Sequence, residues 1–203
     1  VTVEGKNLAP NPRLLVPVRM APVALQEGST PTRAVFEITL SADTAADVLP
    51  LRIVTDDGAS NLVLVGVDHL PQREFAPVIE QLPVAMYGDI SGETIMRTSF
   101  VAGAGVPIVV DLEARRLASD LHPVLTVFGP HGRQVASARV SRRLSGDVRV
   151  AFETPLEGRY EIEFYDDQFR NPTRRHFRLK VGNLRYADLV FPIGIRPGEM
   201  TPI

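Results

Sequence analysis

The chain reads as all-β, with two β-sandwiches in tandem, and three observations point there. Apolar and polar residues alternate with period two in run after run, the signature of half-buried strands. These runs are short, lie about ten residues apart and are separated by turn chemistry, the spacing of sandwich folds. The composition is rich in valine and in proline (17), and no Ala/Leu/Lys/Glu-rich stretch with helical period interrupts it. At 203 residues and 44% hydrophobic, the chain can bury a core in one large or two small domains.

In order, Val1–Glu4 is a short strand and Gly5-Lys6-Asn7 a turn. Leu14–Met20 is apolar but carries Pro17, which cannot donate to a ladder, so it is an edge or irregular strand. Glu27–Thr32 is a loop. In Ala34–Leu40, Phe36, Ile38 and Leu40 alternate with Glu37 and Thr39. Ser41–Val48 contains a candidate helical turn. Leu49–Thr55 and Leu62–Val67 are strands around an Asp-Gly turn signal at Asp57-Gly58. Residues 1–70 therefore form a first module, and 71–75 (PQREF) a linker. The chain opens on VTVEGKNL, the middle of a strand and then a turn. We expect a piece of a longer protein, with its first module N-terminally incomplete and any signal peptide already missing.

The second module, 76–192, has strands at Gln81–Tyr87, Ile95–Val101, Val106–Leu112, Pro123–Phe128, Gln134–Arg139 and Val148–Phe152. Tight turns fall at Gly88–Gly92, Gly103–Gly105 and Gly129–Gly132. Then come two strongly patterned strands. Tyr160, Ile162 and Phe164 alternate with Glu161, Glu163 and Tyr165, and Phe177, Leu179 and Val181 alternate with Arg178 and Lys180. They fit one antiparallel hairpin with Phe164 opposite Phe177 and Ile162 opposite Leu179. In that register Glu163 faces Arg178 and Glu161 faces Lys180 on a water-facing side. Residues 193–203 read as an extended exit segment.

The order of signals from Leu82 onward resembles the bacterial pre-peptidase C-terminal domain family, a jelly-roll-like sandwich. The likeness is carried by LEARRLASDLHPVLTVFGPHGRQVA (Leu112–Ala136), VRVAFETPLEGRYEIEFYD (Val148–Asp166) and HFRLKVGNLRYADLVFPIGIRPGE (His176–Glu199). Ala118 stands where the family has glycine, and His122 where it has aspartate before Pro123. The first module is similar to Ig-like IPT/TIG domains at Gly5-Lys6-Asn7-Leu8 and Asp57-Gly58-Ala59-Ser60-Asn61. These resemblances imply a non-catalytic accessory region of a secreted or cell-envelope bacterial protein, outside the cytoplasm. The resemblance implies no cofactor beyond calcium, which some members of the wider group bind. Ser137-Ala138-Arg139 replaces the acidic pair that would serve it.

The residues themselves exclude several chemistries. A net charge of −2 and pI near 6.1 give no basic footprint for nucleic acid. The absence of cysteine removes disulfides, thiolate catalysis and Cys-ligated metals. His69, His122, His131 and His176 show no metal-ligand spacing. Ser60, Ser91, Ser99 and Ser119 lack a nucleophile elbow, and Gly103-Ala104-Gly105 is no phosphate loop. No apolar run approaches the ~20 residues of a membrane span.

The weak candidates for a cation are Asp166 and Asp167, set against a solvated pair, since a hard cation needs several converging oxygens. Asp56-Asp57 reads as a turn pair. Arg170, Arg174 and Arg175, with Arg142-Arg143, form a candidate basic interaction surface, set against a solvated face. Among the tyrosines (Tyr87, Tyr160, Tyr165, Tyr186), Tyr165 points to solvent as a platform for a polymer. The expected role is a spacer, docking or assembly unit, with neighbouring domains or other envelope proteins as partners. The alternative is binding of polysaccharide or another extracellular polymer. An enzyme with a site assembled from dispersed Asp and His ranks third.

Overall fold

The computed structural model describes residues 1–18, 23–169 and 175–188, with 191, 192, 194, 196 and 198. Those residues are all-β. The strands are β1 (Thr2–Glu4), β2 (Arg13–Leu15), β3 (Ala24–Leu25), β4 (Arg33–Glu37), β5 (Asp47–Thr55), β6 (Gly58–Ala59), β7 (Val63–Val67) and β8 (Gln72–Glu74). They continue as β9 (Val84–Ile90), β10 (Met96–Ala102), β11 (Pro107–Glu113), β12 (Pro123–Phe128), β13 (Gln134–Arg139), β14 (Val148–Glu153), β15 (Gly158–Asp166) and β16 (Arg175–Gly182). Three single 3-10 turns sit at Arg115–Leu117, Pro130–Gly132 and Arg142–Leu144.

The first sandwich packs the sheet β1-β4-β3 on the sheet β2-β5-β6, with β7 also paired to β5. Its core is small: Leu8, Ala34, Phe36 and Ile53, with Val3, Leu14, Val23 and Ile38 partly buried against them. β2 stops before Pro17, as a residue lacking an N–H requires. The expected helical turn at Ser41–Val48 is only a hydrogen-bonded turn, Thr44 N–H to the Ser41 carbonyl, before β5 begins. The Asp56-Asp57 turn joins β5 to β6, with Thr55 opposite Gly58.

The second sandwich packs the five-stranded sheet β14-β11-β16-β9-β8 on the four-stranded sheet β10-β15-β12-β13. Its core holds twenty buried residues, among them Phe100, Leu112, Leu125, Tyr160, Ile162, Phe164, Phe177, Leu179 and Val181. This core buries far more apolar surface than the first, and burial stabilises in proportion to apolar area.

The expected hairpin does not form. β15 pairs with β10 and β12, and β16 pairs with β9 and β11. The two strands lie in opposite sheets, and Phe164 meets Phe177 edge to face across the core, ring centroids 4.8 Å apart. Their apolar faces point at one another, as in any sandwich, so the pattern that suggested cross-strand neighbours belongs to residues stacked between sheets. The expected charge pairs fail with it. Glu163 pairs with Arg97, while Arg178 and Lys180 pair with Glu113 and Asp111.

The stretch expected as a linker is built into the second sandwich. β8 pairs in parallel with β9. The chain then crosses to the other sheet, where Val78 bridges Ser99 of β10 and Ile79 N–H donates to the Ser99 carbonyl. Between these two attachments Phe75 enters the gap, edge to face with both Phe164 (5.8 Å) and Phe177 (5.5 Å). Residues 72–79 thus cover edge strands of both sheets, protecting backbone groups that would otherwise be open to pairing.

Candidate functional site

Two regions bring charged and aromatic side chains together. The first is the outer face of the five-stranded sheet. Alternation puts Asp111 and Glu113 of β11, Arg149 of β14, and Arg178 and Lys180 of β16 on that face. Strand register sets Asp111 between Arg149 and Lys180, and Glu113 beside Arg178. Lys180 Nζ lies 2.6 Å from Glu113 and 3.2 Å from Asp111. Arg178 donates to Glu113 at 3.0 Å and to the side-chain Oε1 of Gln72 at 3.1 Å, and reaches out of the sandwich to Asp68 at 2.6 Å. Asp68 follows β7, so Arg178 ties the two sandwiches directly. The approach is close enough that a Cβ on Gly66 would lie 2.8 Å from the Arg178 guanidinium. This face was expected to meet water, yet Arg178 is only 6% exposed. The first sandwich covers it.

Arg116 completes the network. Its guanidinium lies 2.7 Å from both Asp111 and Asp147. Asp147, fully buried, also accepts the backbone N–H groups of Ala114, Arg115 and Arg116, fixing the 3-10 turn that presents Arg116. Burial alone would push the Asp111 carboxyl up. Arg116, Lys180 and Arg149 outweigh it and hold the carboxyl below its ordinary range. Burial would likewise lower Arg116, and Asp111, Asp147 and Glu113 together raise it. Every charge in the row has an opposite partner, which is the condition for burying charge at tolerable cost. Beside it a cleft of about 330 Å³ opens between the sandwiches, and Arg149 lies over the Tyr186 ring at 4.8 Å.

The second region is the outer face of the four-stranded sheet, which is open to solvent. β15 presents Arg159, Glu161, Glu163 and Tyr165 there, opposite the inward Tyr160, Ile162 and Phe164. Register places Arg97 of β10 beside Glu163, and it donates from Nε and Nη2 to one carboxylate oxygen at 2.9 and 2.8 Å. Tyr165 stacks on Phe169, rings 5.5 Å apart and 14° from parallel. A trough of about 630 Å³ runs between Arg97 and the Pro130–Gly132 turn.

The remaining expected site residues fall as follows. Asp166 is buried and 3.5 Å from the Arg175 guanidinium, and it accepts the N–H groups of His122 and Gln168. It organises a turn beside a cation, a poor setting for a calcium ion, which needs converging oxygens. Asp167 is exposed, and its backbone N–H donates to the His122 carbonyl. Among the described residues no group of three or more His, Cys, Asp or Glu side chains is placed to hold a metal. Arg175 is 4% exposed and pairs with Asp120 at 2.8 Å as well as Asp166, so it is not a surface cation. Arg170 and Arg174 lie outside the described residues, as does most of the exit segment. His122 lies 3.2 Å from Arg115, and His176 contacts the Leu117 carbonyl at 2.8 Å, far apart in role and partner.

Asp68, Asp111 and Glu113 were not singled out from the sequence. A signal for the latter two was present: the spacing Asp-Leu-Glu at 111–113 matches Arg-Leu-Lys at 178–180, acid against base on one face of adjacent strands. Ala118, expected to replace a family glycine, has left-handed φ and ψ of 62° and 18°, the conformation for which glycine is ordinarily used.

No protein-family model matches the chain, and no curated protein sequence matches it. Solved structures do. One is the Aeromonas hydrophila PliG, a periplasmic lysozyme inhibitor of g-type lysozyme. It is 16% identical, with 57% of this chain and 98% of that chain covered and a TM-score of 0.42. A second is the pre-peptidase C-terminal domain of collagenase from Bacillus anthracis, at 11% identity, 57% and 99% coverage and a TM-score of 0.41. A third is the SGBP-B protein of the Bacteroides ovatus mixed-linkage glucan utilization locus, in complex with a mixed-linkage heptasaccharide. It is 8% identical, with 88% of this chain and 70% of that one covered and a TM-score of 0.28. The likeness is one of all-β fold. No family model supports the IPT/TIG resemblance of the first module. Among the described residues no helix is long and apolar enough to cross a membrane.

Proposed function

We propose that this chain is a non-catalytic structural and interaction module of a larger secreted or cell-envelope bacterial protein. In this reading residues 1–70 and 76–192 are its two units, with β8 and Phe75 joined to the second. The connecting residues hold them in one fixed relation, so the pair acts as a stiff spacer or docking unit. The observation that carries this is the junction itself. β8 and Phe75 belong to the second sandwich while Asp68, four residues earlier than β8, anchors Arg178. A flexible tether would need none of these contacts. The extracytoplasmic setting rests on the sequence motifs that resemble pre-peptidase C-terminal domains.

Limited trypsin digestion tests the junction. Arg73 lies within β8, so the reading expects no early cut there. Early cleavage after Arg73 that releases two stable halves would overturn it, and so would robust hydrolase activity in the purified chain.

A second reading, binding of an extracellular polysaccharide, is favoured by one specific feature. Tyr165, half-buried on the outer side of β15, stacks on Phe169, which is 47% exposed just beyond the strand. It is compatible with the first, since a spacer can also hold its parent protein to a polymer.

A further inference from the structure

We propose that the outer face of the four-stranded sheet is a binding site for a neutral polyhydroxylated polymer. The chain would lie along β15 from Tyr165 to the Pro130–Gly132 turn. The proposal rests on the polysaccharide reading and names its site and ligand class.

The length comes first. Tyr165, Glu163, Glu161 and Arg159 share one face of β15, and at about 3.3 Å per residue they span about 20 Å. That suits several consecutive sugar units rather than one small molecule. The trough of about 630 Å³ occupies one end of this line, and the stacked Tyr165–Phe169 pair marks the other. A sugar ring offers an apolar C–H face and a rim of hydroxyls. The apolar face requires a flat apolar surface, supplied by Tyr165 at one end and by Pro130 with half-buried Phe128 at the other.

The hydroxyl rim requires fixed groups that both donate and accept. Arg97 and Glu163 supply them as a preset pair. Both guanidinium bonds fall on one carboxylate oxygen of Glu163, Oε2, and neither falls on Oε1. Glu161 lies 3.9 Å from Arg97 and stays largely exposed. Planar guanidinium and carboxylate groups side by side match adjacent hydroxyls with two hydrogen bonds each.

The charge decides the ligand class. Arg97 and Arg159 balance Glu161 and Glu163, so the line carries no net charge. A polyanion gains nothing from it and would be repelled at its centre by the two carboxylates. A strongly basic partner meets the two arginines.

The wall is rigid. Gly158 has φ +147°, and a Cβ there would lie 2.8 Å from Pro130. The turn carrying His131 is therefore seated directly on β15. His131 itself is exposed at φ 66°, an uncommon left-handed conformation for a side-chain-bearing residue, and it projects from the rim of the trough. Preorganisation of this kind lowers the ordering cost of binding.

Affinity electrophoresis and titration calorimetry test the site, using cellohexaose, mannohexaose, chitohexaose and the polyanion polygalacturonate as probes. At least one neutral oligomer is expected to bind. Tyr165→Ala and Glu163→Gln are each expected to weaken it tenfold or more, at unchanged melting temperature, with Glu4→Gln, at an exposed position on the first sandwich, as a control away from the site. Failure of every neutral probe overturns the polysaccharide reading itself. A neutral probe that binds equally well to wild type and both variants leaves that reading standing and overturns the site. Tighter binding of polygalacturonate, or occupation of the face only by a protein partner, overturns the ligand class.

Discussion

Arg178→Ala removes a side chain that ties the two sandwiches by charge. Its guanidinium lies 2.6 Å from Asp68, 3.0 Å from Glu113 and 3.1 Å from Gln72, with only 7% of the side chain exposed. Removing one partner of a buried pair costs about 3–5 kcal/mol when the charge left behind is uncompensated. Here the loss is cushioned. Glu113 keeps Lys180 at 2.6 Å and Arg116 at 3.5 Å, and Asp68, whose side chain is 12% exposed, can take up water. The expected destabilisation is therefore about 2–3 kcal/mol. Urea unfolding of wild type, Arg178→Ala, Asp68→Asn and the double variant measures it and isolates the pair. The two single effects should fall short of additivity by about 1 kcal/mol. A loss below about 0.5 kcal/mol, the range of ordinary surface substitutions, or strict additivity would show that the contact does not hold the sandwiches together.

Phe75→Ala should cost about 2–4 kcal/mol, somewhat less than the ~3–5 kcal/mol of a fully buried phenylalanine because Phe75 is only partly buried; a midpoint shift in urea measures it. Ala118→Gly should stabilise the chain by about 1 kcal/mol, since alanine pays for a left-handed φ that glycine adopts freely; differential scanning calorimetry reads the gain. Tyr160→Phe should cost about 1–2 kcal/mol, because the buried hydroxyl donates to the Leu156 carbonyl at 2.6 Å. The Asp111 carboxyl titrates below its ordinary value in the folded chain. Its contribution is thus complete above the unfolded pKa of about 4 and lost as pH falls through the lower folded value. The difference in melting temperature between wild type and Asp111→Asn should accordingly be widest near neutral pH and narrow as the pH drops below about 4.

Most strands were legible because burial on one side of a sheet writes itself into the sequence with period two. Tyr160-Ile162-Phe164 and Phe177-Leu179-Val181 could be read as inward-facing from that period alone. Which strand pairs with which could not. Two strands with matching inward faces look the same whether they are neighbours in one sheet or stand across a core, and β15 and β16 are the latter. Charge complementarity was legible in kind and misassigned in partner. Arg178 and Lys180 do meet acids, but on β11, more than sixty residues earlier in the chain. Residues 71–75 looked like a linker because β8 is too short to show a period and Pro71 opens it; a single phenylalanine was the only trace of its role. The period put Tyr165 on the outer side of β15, whereas Arg97 and Glu163 come together only through the β10–β15 register.

The central claim is that the two sandwiches keep one fixed relation. The absence of cysteine from the chain makes paired spin labelling direct. Ala45→Cys places a label on an exposed loop of the first sandwich, and Val101→Cys, at a site 73% exposed, places one on the second. Double electron–electron resonance should then give a single narrow distance distribution in the otherwise wild-type chain. A broad or multimodal distribution in that chain would mean that the junction is a hinge, and the account of a stiff spacer would fall.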